Sequence, residues 1–428
     1  MPTATTFADS GSITTESIRR HFPSLKSSTL YLDNAGGSQV PLQVTEAMRG
    51  YFLHTCAQTG AAYPASVAAA GLVAKAHTVA KAFVNGEGLG EVILAQSTTA
   101  LVHTLSNAYA DALHNGSIHR RRIVVSTLGH EANIWAWFRL AARGFEVVAW
   151  HPKRTADNLW TLDHESLDGL VDERTLLVAF PQVSNIMGQV EDAKSICRMA
   201  ERVGARTLVD GVAFAPHRAP DVADLRCDWY VYSTYKVFGP HAAAAFGRSD
   251  AFAELDGPNH YFLPRTMVPY TFELGGVPHE SAAGIAALDD YLHALTGQPP
   301  AIDGAARRRT FVQAFDAFGQ IEDDLQTRLL KGLAELPNVQ IAGSPMGGPE
   351  RICTVSFHVR GVRSSHISAA LNARNIGIKS GNFYSRRLVE RMALDPADGV
   401  VRISLAHYNT IDEVETVLSA LRTLLHAG

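Results

Sequence analysis

The sequence lacks the cysteine and histidine patterns of a disulfide framework or a metal cluster. Its four cysteines lie far apart, and none belongs to a CxxC pair: Cys56, Cys197, Cys227 and Cys353. The histidines show no HExxH or comparable metal-binding spacing. We therefore expect neither disulfide bonds nor a bound metal, and we interpret the cysteines as small buried residues.

The sequence also lacks long hydrophobic runs and a strong charge of either sign. No apolar stretch reaches the ~18 residues of a membrane-spanning helix, and residues 1–12 have neither the basic nor the apolar region of a signal peptide. A formal net charge of −4 gives no general attraction to nucleic acid or anionic lipid. We expect a cytoplasmic protein whose partners are small molecules, with no nucleic acid and no membrane.

The chain is long enough for two domains, because its 428 residues exceed the length at which a single core usually stops growing. Between Glu91 and Phe246, short apolar runs alternate with helical stretches. This alternation predicts a mainly parallel sheet covered by helices on both faces. From about Leu288 the pattern is that of a smaller α+β domain. We predict an N-terminal arm packing with the small domain over 1–26, a large domain over 27–287 and a small domain over 288–428.

Periodicity places the individual elements. In the large domain it predicts strands at Glu91–Ala95, Ile123–Val125, Phe145–Trp150, Thr175–Phe180 and Thr207–Val209, and helices ending near Leu113, over Asn133–Arg143 and over Asp192–Val203. In the small domain it predicts helices over Gln313–Leu336, Ser365–Arg374 and Ile411–Leu425, and strands at Val339–Ala342, Thr354–Val359 and Val400–Leu405. Ligands bind at the carboxyl ends of strands in such sheets, so polar residues that follow apolar runs are predicted to converge on one crevice: Thr98, His130, Asn185, Asp210 and Lys236.

Lys236 and Asp210 each follow an apolar strand. This pair suits pyridoxal 5′-phosphate (PLP), because a lysine amine forms a Schiff base with the cofactor aldehyde and a carboxylate pairs with the protonated pyridine nitrogen. Taken alone, a solvated lysine and a helix-capping aspartate explain the same pattern.

The segment Ser97-Thr98-Thr99 begins a predicted helix. Unpaired amides, the helix dipole and hydroxyl donors together favour a phosphate dianion there, although an ordinary N-cap has the same sequence. No Walker-type lysine loop and no dinucleotide-binding glycine spacing is present, so NAD and ATP have little support.

Three further residues can be interpreted either as ligand contacts or as ordinary structural residues. His130, between a strand and a helix, can stack on a flat cofactor ring or be a polar loop residue. Asn185 can contact the cofactor or cap a local turn. Arg402 alternates with apolar neighbours on a strand, and its planar fork binds a carboxylate bidentately. That carboxylate can come from an amino-acid substrate or from a structural Asp or Glu.

Together these segments resemble the class V aminotransferases, which are fold-type I PLP enzymes, and within them the cysteine desulfurase and selenocysteine lyase branch. The resemblance runs in order through Tyr31–Gly37, Ser97-Thr98-Thr99, His130–Asn133, Val183-Ser184-Asn185, Val209-Asp210-Gly211, Ser233–Lys236 and Arg402–Thr410. It implies a large domain with a mainly parallel seven-stranded sheet, a smaller α+β domain and a homodimer with shared active sites.

The resemblance also implies roles for individual residues. Lys236 is the cofactor-bound lysine, Asp210 the pyridinium partner and His130 the ring-stacking residue. The remaining PLP contacts come from Ser97, Thr98, Thr99, Asn185, Ser233 and Tyr235. The substrate contacts come from Gly36, Asn185, Lys379, Tyr384 and Arg402, with Arg402 taking the carboxylate.

Departures from the family pattern bear on the reaction. Cysteine desulfurases carry a persulfide-forming cysteine on a small-domain loop, but no cysteine follows Cys353, and Tyr384 stands near the expected place. Lys379 stands where the family often has arginine. Ala213 and Gly276 replace residues that commonly contact the cofactor.

We therefore predict a PLP-dependent enzyme acting on an amino acid, most simply a C–S lyase that performs β-elimination on an S-substituted cysteine. Amino-acid epimerisation, transamination and oxidative deamination are alternatives on the same fold. A degenerate, non-catalytic binding protein is the alternative of a different class.

Overall fold

The computed structural model describes residues 13–156 and 159–426, so residues 1–12 of the predicted arm lie outside the described ranges. Up to residue 248, its strands are β1 (Leu30–Tyr31), β2 (Gly90–Ala95), β3 (Arg122–Ser126), β4 (Glu146–Trp150), β5 (Lys153–Arg154), β6 (Trp160–Thr161), β7 (Thr175–Pro181), β8 (Arg206–Asp210), β9 (Trp229–Ser233) and β10 (Ala243–Arg248).

A seven-stranded sheet forms the centre of the large domain, in the order β2-β10-β9-β8-β7-β3-β4. Strand β10 runs antiparallel to both of its neighbours, and the other pairs are parallel. Every residue of β7 is buried, as expected of a strand covered on both faces. The carboxyl ends of β2, β3, β7, β8 and β9 therefore meet at one edge of the sheet.

Helices cover this sheet and lead into the small domain. They are α1 (Thr15–Arg19), α2 (Leu42–Gly50), α3 (Pro64–Phe83), α4 (Thr98–His114), α5 (Trp135–Phe138), α6 (His164–Asp168), α7 (Ala193–Arg202), α8 (Val222–Leu225), α9 (Ser249–Ala253), α10 (His279–Thr296) and α11 (Gly304–Ala334). Helix α11 begins earlier than predicted, because the Asp303 side chain caps it by accepting a hydrogen bond from the Ala306 amide.

The predicted helix over Asn133–Arg143 is wrong. The structure divides this segment into a 3₁₀ turn at Glu131–Asn133, the short helix α5 and a second 3₁₀ turn at Arg139–Arg143. Buried Trp137 donates a hydrogen bond from Nε1 to Asn133 Oδ1 at 3.0 Å. Packing of this indole overrides the local preference for one continuous helix.

The small domain contains β11 (Val339–Ala342), β12 (Thr354–Val359), α12 (Ser364–Asn372), β13 (Ile376–Gly377), β14 (Lys379–Gly381), α13 (Arg386–Arg391), β15 (Val400–Ser404) and α14 (Ile411–His426). Its antiparallel sheet has the order β11-β12-β15-β14. Leucines of α11, α12 and α14 pack with Val355, Val401 and Ile403 in one core. The strand residues between them, which include Ser356 and Arg402, point to the opposite face.

The N-terminal segment contacts the small domain. Arg19 donates a hydrogen bond to the Tyr408 carbonyl at 2.7 Å, and β1 pairs in parallel with β13. The domain boundaries themselves stay a prediction. Among the described residues, no helix is both long and apolar enough to cross a membrane.

Candidate active site

A cleft with about 520 Å³ of empty space lies at the carboxyl ends of the parallel strands. The structure brings all of the predicted cofactor contacts into its lining: Ser97, Thr98, Thr99, His130, Asn185, Asp210, Ser233, Tyr235 and Lys236. Because these residues follow five different strands, the fold itself assembles the cleft.

Lys236 ends a 3₁₀ turn that directly follows β9, and its side chain is buried. Burial lowers the pKa of Lys236 to about 8; the Arg402 charge adds to this effect, whereas Asp210 and Asp33 oppose it. Its ammonium group forms no hydrogen bond with any described residue. Near pH 8 this site therefore holds a large fraction of free, nucleophilic amine.

Asp210 is the last residue of β8 and is also buried. Burial raises the pKa of Asp210 to about 6, while the Val212 amide and the Lys236 charge lower it. The Val212 N–H donates to Asp210 Oδ1 at 3.0 Å. A Cβ at Gly211 would overlap the Tyr230 hydroxyl, so glycine is needed for the close approach of β8 and β9 beside this carboxylate.

Hydroxyl groups and helix amides form a cradle at the start of α4. Thr98 Oγ1 and Ser233 Oγ lie 2.8 Å apart and share a hydrogen bond. Ser97 acts as the N-cap, since its Oγ accepts a hydrogen bond from the Ala100 amide at 3.1 Å. The amides of Thr98 and Thr99 have no partner within the helix. This donor set, with the helix dipole, fits a phosphate group.

His130 follows β3 and stays neutral at physiological pH. Burial and, to a smaller extent, the charges of Lys236 and Arg402 lower the pKa of His130 to about 4. The Ala132 amide donates to His130 Nδ1 at 3.0 Å, which places the ring proton on Nε2. The imidazole ring therefore has a fixed orientation and a fixed tautomer beside the cleft.

Asn185 connects the cleft to the small domain. Its Nδ2 donates to the Phe383 carbonyl at 2.9 Å, and its Oδ1 accepts a hydrogen bond from Ser385 Oγ at 2.6 Å. The main-chain carbonyl of Asn185 accepts from Arg402 Nη1 at 3.2 Å. The side chain thus holds the 381–385 loop against the large domain and keeps one Nδ2 hydrogen for a ligand.

Arg402 on β15 is buried and contacts the cleft-lining residue Asn185 from the small domain. Its Nη2 donates to Asp33 Oδ1 at 2.9 Å, and its guanidinium carbon lies 3.9 Å from the Phe383 ring centroid. Burial lowers the pKa of Arg402, and Asp33 opposes this shift. Arg402 Nε is buried and has no hydrogen-bond partner among the described residues. Asp33 is thus the structural carboxylate that the sequence left open as one of two partners for Arg402. The Nε donor of Arg402 is not used by this pair.

The other predicted substrate contacts lie on three segments: beside Asp33, on β14 and in the 381–385 loop. A Cβ at Gly36 would lie 2.9 Å from Asp33 Oδ2, so a side chain there would displace this carboxylate. Lys379 is exposed and lies directly opposite Arg402 on β14. Tyr384 is 69% exposed, and its ring centroid lies 5.2 Å from that of His130.

None of the residues that line the cleft is a cysteine. Cys197, Cys227 and Cys353 are buried, and Cys56 is exposed. Burial raises the pKa of Cys353 well above its usual range, so this thiol is a poor nucleophile.

Sequence reasoning gave no role to Asp33 or Phe383, which respectively pair with and stack on Arg402. Asp33 carried a weak signal, because it follows a short apolar run, Leu30–Leu32. Phe383 carried no sequence signal, since an aromatic residue in a loop is compatible with many structural roles. Phe383 and Tyr384 both have left-handed backbones, with φ of 50° and 58°, a strained conformation typical of functional loops.

A family model described as Aminotransferase class-V matches residues 30–417. The chain belongs to this family. The aminotransferase-like protein FGM3 of Gibberella zeae is 34% identical, over 97% of this chain and 100% of that protein. The cysteine desulfurase-like protein ustD of Aspergillus flavus is 30% identical, over 96% of this chain and 90% of that protein.

A solved structure of a similar fold is that of a cysteine desulfurase from Thermococcus onnurineus. It superposes with a TM-score of 0.82 at 22% identity, and the match covers 96% of this chain and 98% of that one. This likeness confirms the predicted fold class of the class-V aminotransferase chain, a large domain with a mainly parallel sheet and a smaller α+β domain.

Proposed function

We propose that this class-V aminotransferase family member is a PLP-dependent enzyme that acts on an amino acid, and that its reaction is β-elimination from an S-substituted cysteine. The observation that carries the proposal is the position of Lys236, a buried amine of lowered pKa in the same cleft as Asp210 and the α4 cradle, with the charge of Arg402 near enough to act on it.

The chemistry of the cleft fits PLP. The hydroxyls of Thr98 and Ser233 and the α4 amides would hold the phosphate, and Asp210 would pair with the pyridine nitrogen. When bound, PLP supplies an electron sink for charge that develops at the α-carbon of the substrate. Neutral His130 provides a flat surface for the ring and does not add a positive charge to the site.

Arg402 would bind the α-carboxylate of the substrate. Its Nε is a buried donor with no partner among the described residues, and an incoming carboxylate would satisfy it. Asp33 and Phe383 hold the guanidinium in place before the substrate arrives, so little orientation has to be gained on binding.

Lys236 would remove the α-proton. A free amine is needed for this step, and burial provides it at a pH near 8. The Cβ–S bond then breaks and the sulfur leaves as a thiol after it gains a proton. The three-carbon remainder takes up water and yields pyruvate and ammonia.

Elimination is favoured over desulfuration because no cysteine lines the cleft. A desulfurase would need such a thiolate to accept sulfur. Transamination is the second candidate, and the description of the Gibberella zeae relative as aminotransferase-like favours it. Transamination would move the amino group to an oxo acid and release neither a thiol nor ammonia.

The protein loaded with PLP and incubated with a panel of S-substituted cysteines tests the proposal. We expect thiol and pyruvate in equal amounts, and no activity in Lys236→Ala. Lys331→Ala, on the exposed side of α11, is the matched control and should behave as wild type. Absence of both products, or a borohydride-trapped cofactor adduct at another residue, would overturn the proposal.

We also propose that the chain forms a homodimer. Several large apolar side chains are exposed on two segments, among them Phe52, Leu53, Tyr261, Phe262 and Leu274. Next to Phe52, the Tyr51 hydroxyl lies 3.3 Å from Nδ1 of His279, which follows Leu274 in the chain. Exposed apolar surface of this kind marks an interface, and light scattering at several concentrations would reveal a stable dimer or a monomer.

A further inference from the structure

Two cationic side chains lie opposite each other on neighbouring strands of the small domain. Lys379 on β14 is the direct antiparallel partner of Arg402 on β15. Side chains at such positions point to the same face, with Cβ atoms about 4.5–5.5 Å apart. Ser380 confirms the alternation, because its Oγ lies 2.8 Å from Ser368 Oγ on α12, which covers the other face. Lys379 therefore shares the cleft-facing side of the sheet with Arg402.

Nearby carboxylates do not neutralise both charges of the Lys379–Arg402 pair. Like charges directly opposite each other destabilise a sheet, and the residue beyond Arg402 on β12 is neutral Ser356. Asp33 compensates Arg402 alone. Within residues 13–156 and 159–426, no carboxylate lies within 4.0 Å of the Lys379 ammonium group. Lys379 is thus an exposed cation on the same face of the sheet as Arg402, and no described carboxylate pairs with it.

We propose that Lys379 binds a second anionic group of the substrate. This inference rests on the proposed function, in which Arg402 takes the α-carboxylate of an S-substituted cysteine. The substrate class is then an S-substituted cysteine whose sulfur substituent carries a carboxylate. A lysine suits this task, since its ammonium is a point charge on a flexible stem and tolerates substituents of different lengths.

Two substrates of equal size test the inference on the PLP-loaded, full-length protein: S-carboxymethyl-L-cysteine and its neutral isostere S-carbamoylmethyl-L-cysteine. We expect kcat/KM to favour the carboxylate by about fivefold at low salt, and the preference to shrink as NaCl is raised. Lys379→Met should abolish the preference and Lys379→Arg should keep it. Lys331→Met, which removes an exposed cation on α11, is the matched control and should also keep it.

The outcomes separate this inference from the proposed function. Equal kcat/KM for the two substrates, or a preference that survives in Lys379→Met, would overturn the inference and leave the lyase intact. If neither substrate is turned over, calorimetric titration of both compounds decides the inference, whereas the lyase proposal fails only if the whole panel of S-substituted cysteines gives no product. Tighter binding of the carboxylate that is lost in Lys379→Met supports the anion site; equal binding, or no binding of either, overturns it.

Discussion

Arg402 donates a hydrogen bond to Asp33 across 2.9 Å, and the two residues belong to opposite ends of the chain. The guanidinium is 4% exposed and the carboxylate 32%. Asp33 therefore keeps a buried cation paired beside cleft-lining Asn185, while Arg402 Nε remains without a partner among the described residues. One N–H donor of the guanidinium is thus left for a second carboxylate.

Arg402→Ala is expected to weaken substrate binding with less effect on kcat. Loss of a desolvated, charge-paired contact costs about 2–5 kcal/mol, so the KM for an S-substituted cysteine should rise steeply. Arg402→Lys keeps the charge and loses the planar fork, and we expect an intermediate KM. Steady-state kinetics on the three proteins provide the measurement. An unaltered KM in Arg402→Ala would place carboxylate binding elsewhere.

PLP capture is expected to accelerate as the pH rises towards 8. Burial and the Arg402 charge lower the pKa of Lys236 to about 8, so the amine is protonated below this pH and free above it. Only the free amine attacks the cofactor aldehyde. The rate at which the yellow absorbance band appears should increase from pH 6 and level off above about 8. Arg402→Ala removes a neighbouring cation and should move the midpoint of this pH dependence upwards. A wild-type midpoint near 10.5, the ordinary lysine pKa, would contradict the lowered pKa assigned to Lys236.

Asp210→Asn is expected to reduce turnover by several orders of magnitude while the fold remains intact. The amide oxygen can still accept the hydrogen bond from the Val212 amide, but a neutral group no longer stabilises a protonated pyridine nitrogen. Circular dichroism and unfolding in urea provide the control for folding. Near-wild-type turnover in a folded Asp210→Asn protein would show that the carboxylate has another role.

The sequence predicted the strand-end residues well because their signal is local. Lys236, Asp210 and Thr98 each follow an apolar run, and a parallel sheet brings the ends of such runs together whatever the details of packing. The positions of most strands were likewise predictable, since burial on both faces leaves continuous apolar segments.

Contacts between distant segments were not predictable in the same way. Asp33 and Arg402 are 369 residues apart, and no local pattern distinguishes Asp33 from a substrate carboxylate as the partner. The side chain of Asn185 was expected to face a ligand, yet it mainly holds Phe383 and Ser385. The segment 133–143 has helical periodicity, but burial of Trp137 breaks it into short turns.

A buried carboxyl group in the large domain should make stability depend on pH. Glu191 is buried, and this burial raises its pKa to about 7; hydrogen bonds from the Leu162 amide and the Thr161 hydroxyl oppose the shift. Glu191 Oε1 has no partner among the described residues. A carboxyl pKa that is higher in the folded state means that folding favours the protonated form. The stabilising contribution of Glu191 is therefore complete below about pH 4.5 and is lost as the pH rises to about 7.

Glu191→Gln tests this coupling, because the amide imitates the protonated carboxyl and still accepts both hydrogen bonds. Relative to wild type, the unfolding free energy of Glu191→Gln should increase by about 3 kcal/mol between pH 4.5 and pH 8. Urea unfolding followed by circular dichroism at several pH values measures the difference. Glu165→Gln, an identical change at an exposed position of α6, should follow wild type throughout. A difference between Glu191→Gln and wild type that does not vary with pH would mean that Glu191 is ionised in the folded protein over the whole range, and that its two hydrogen bonds outweigh the cost of burial.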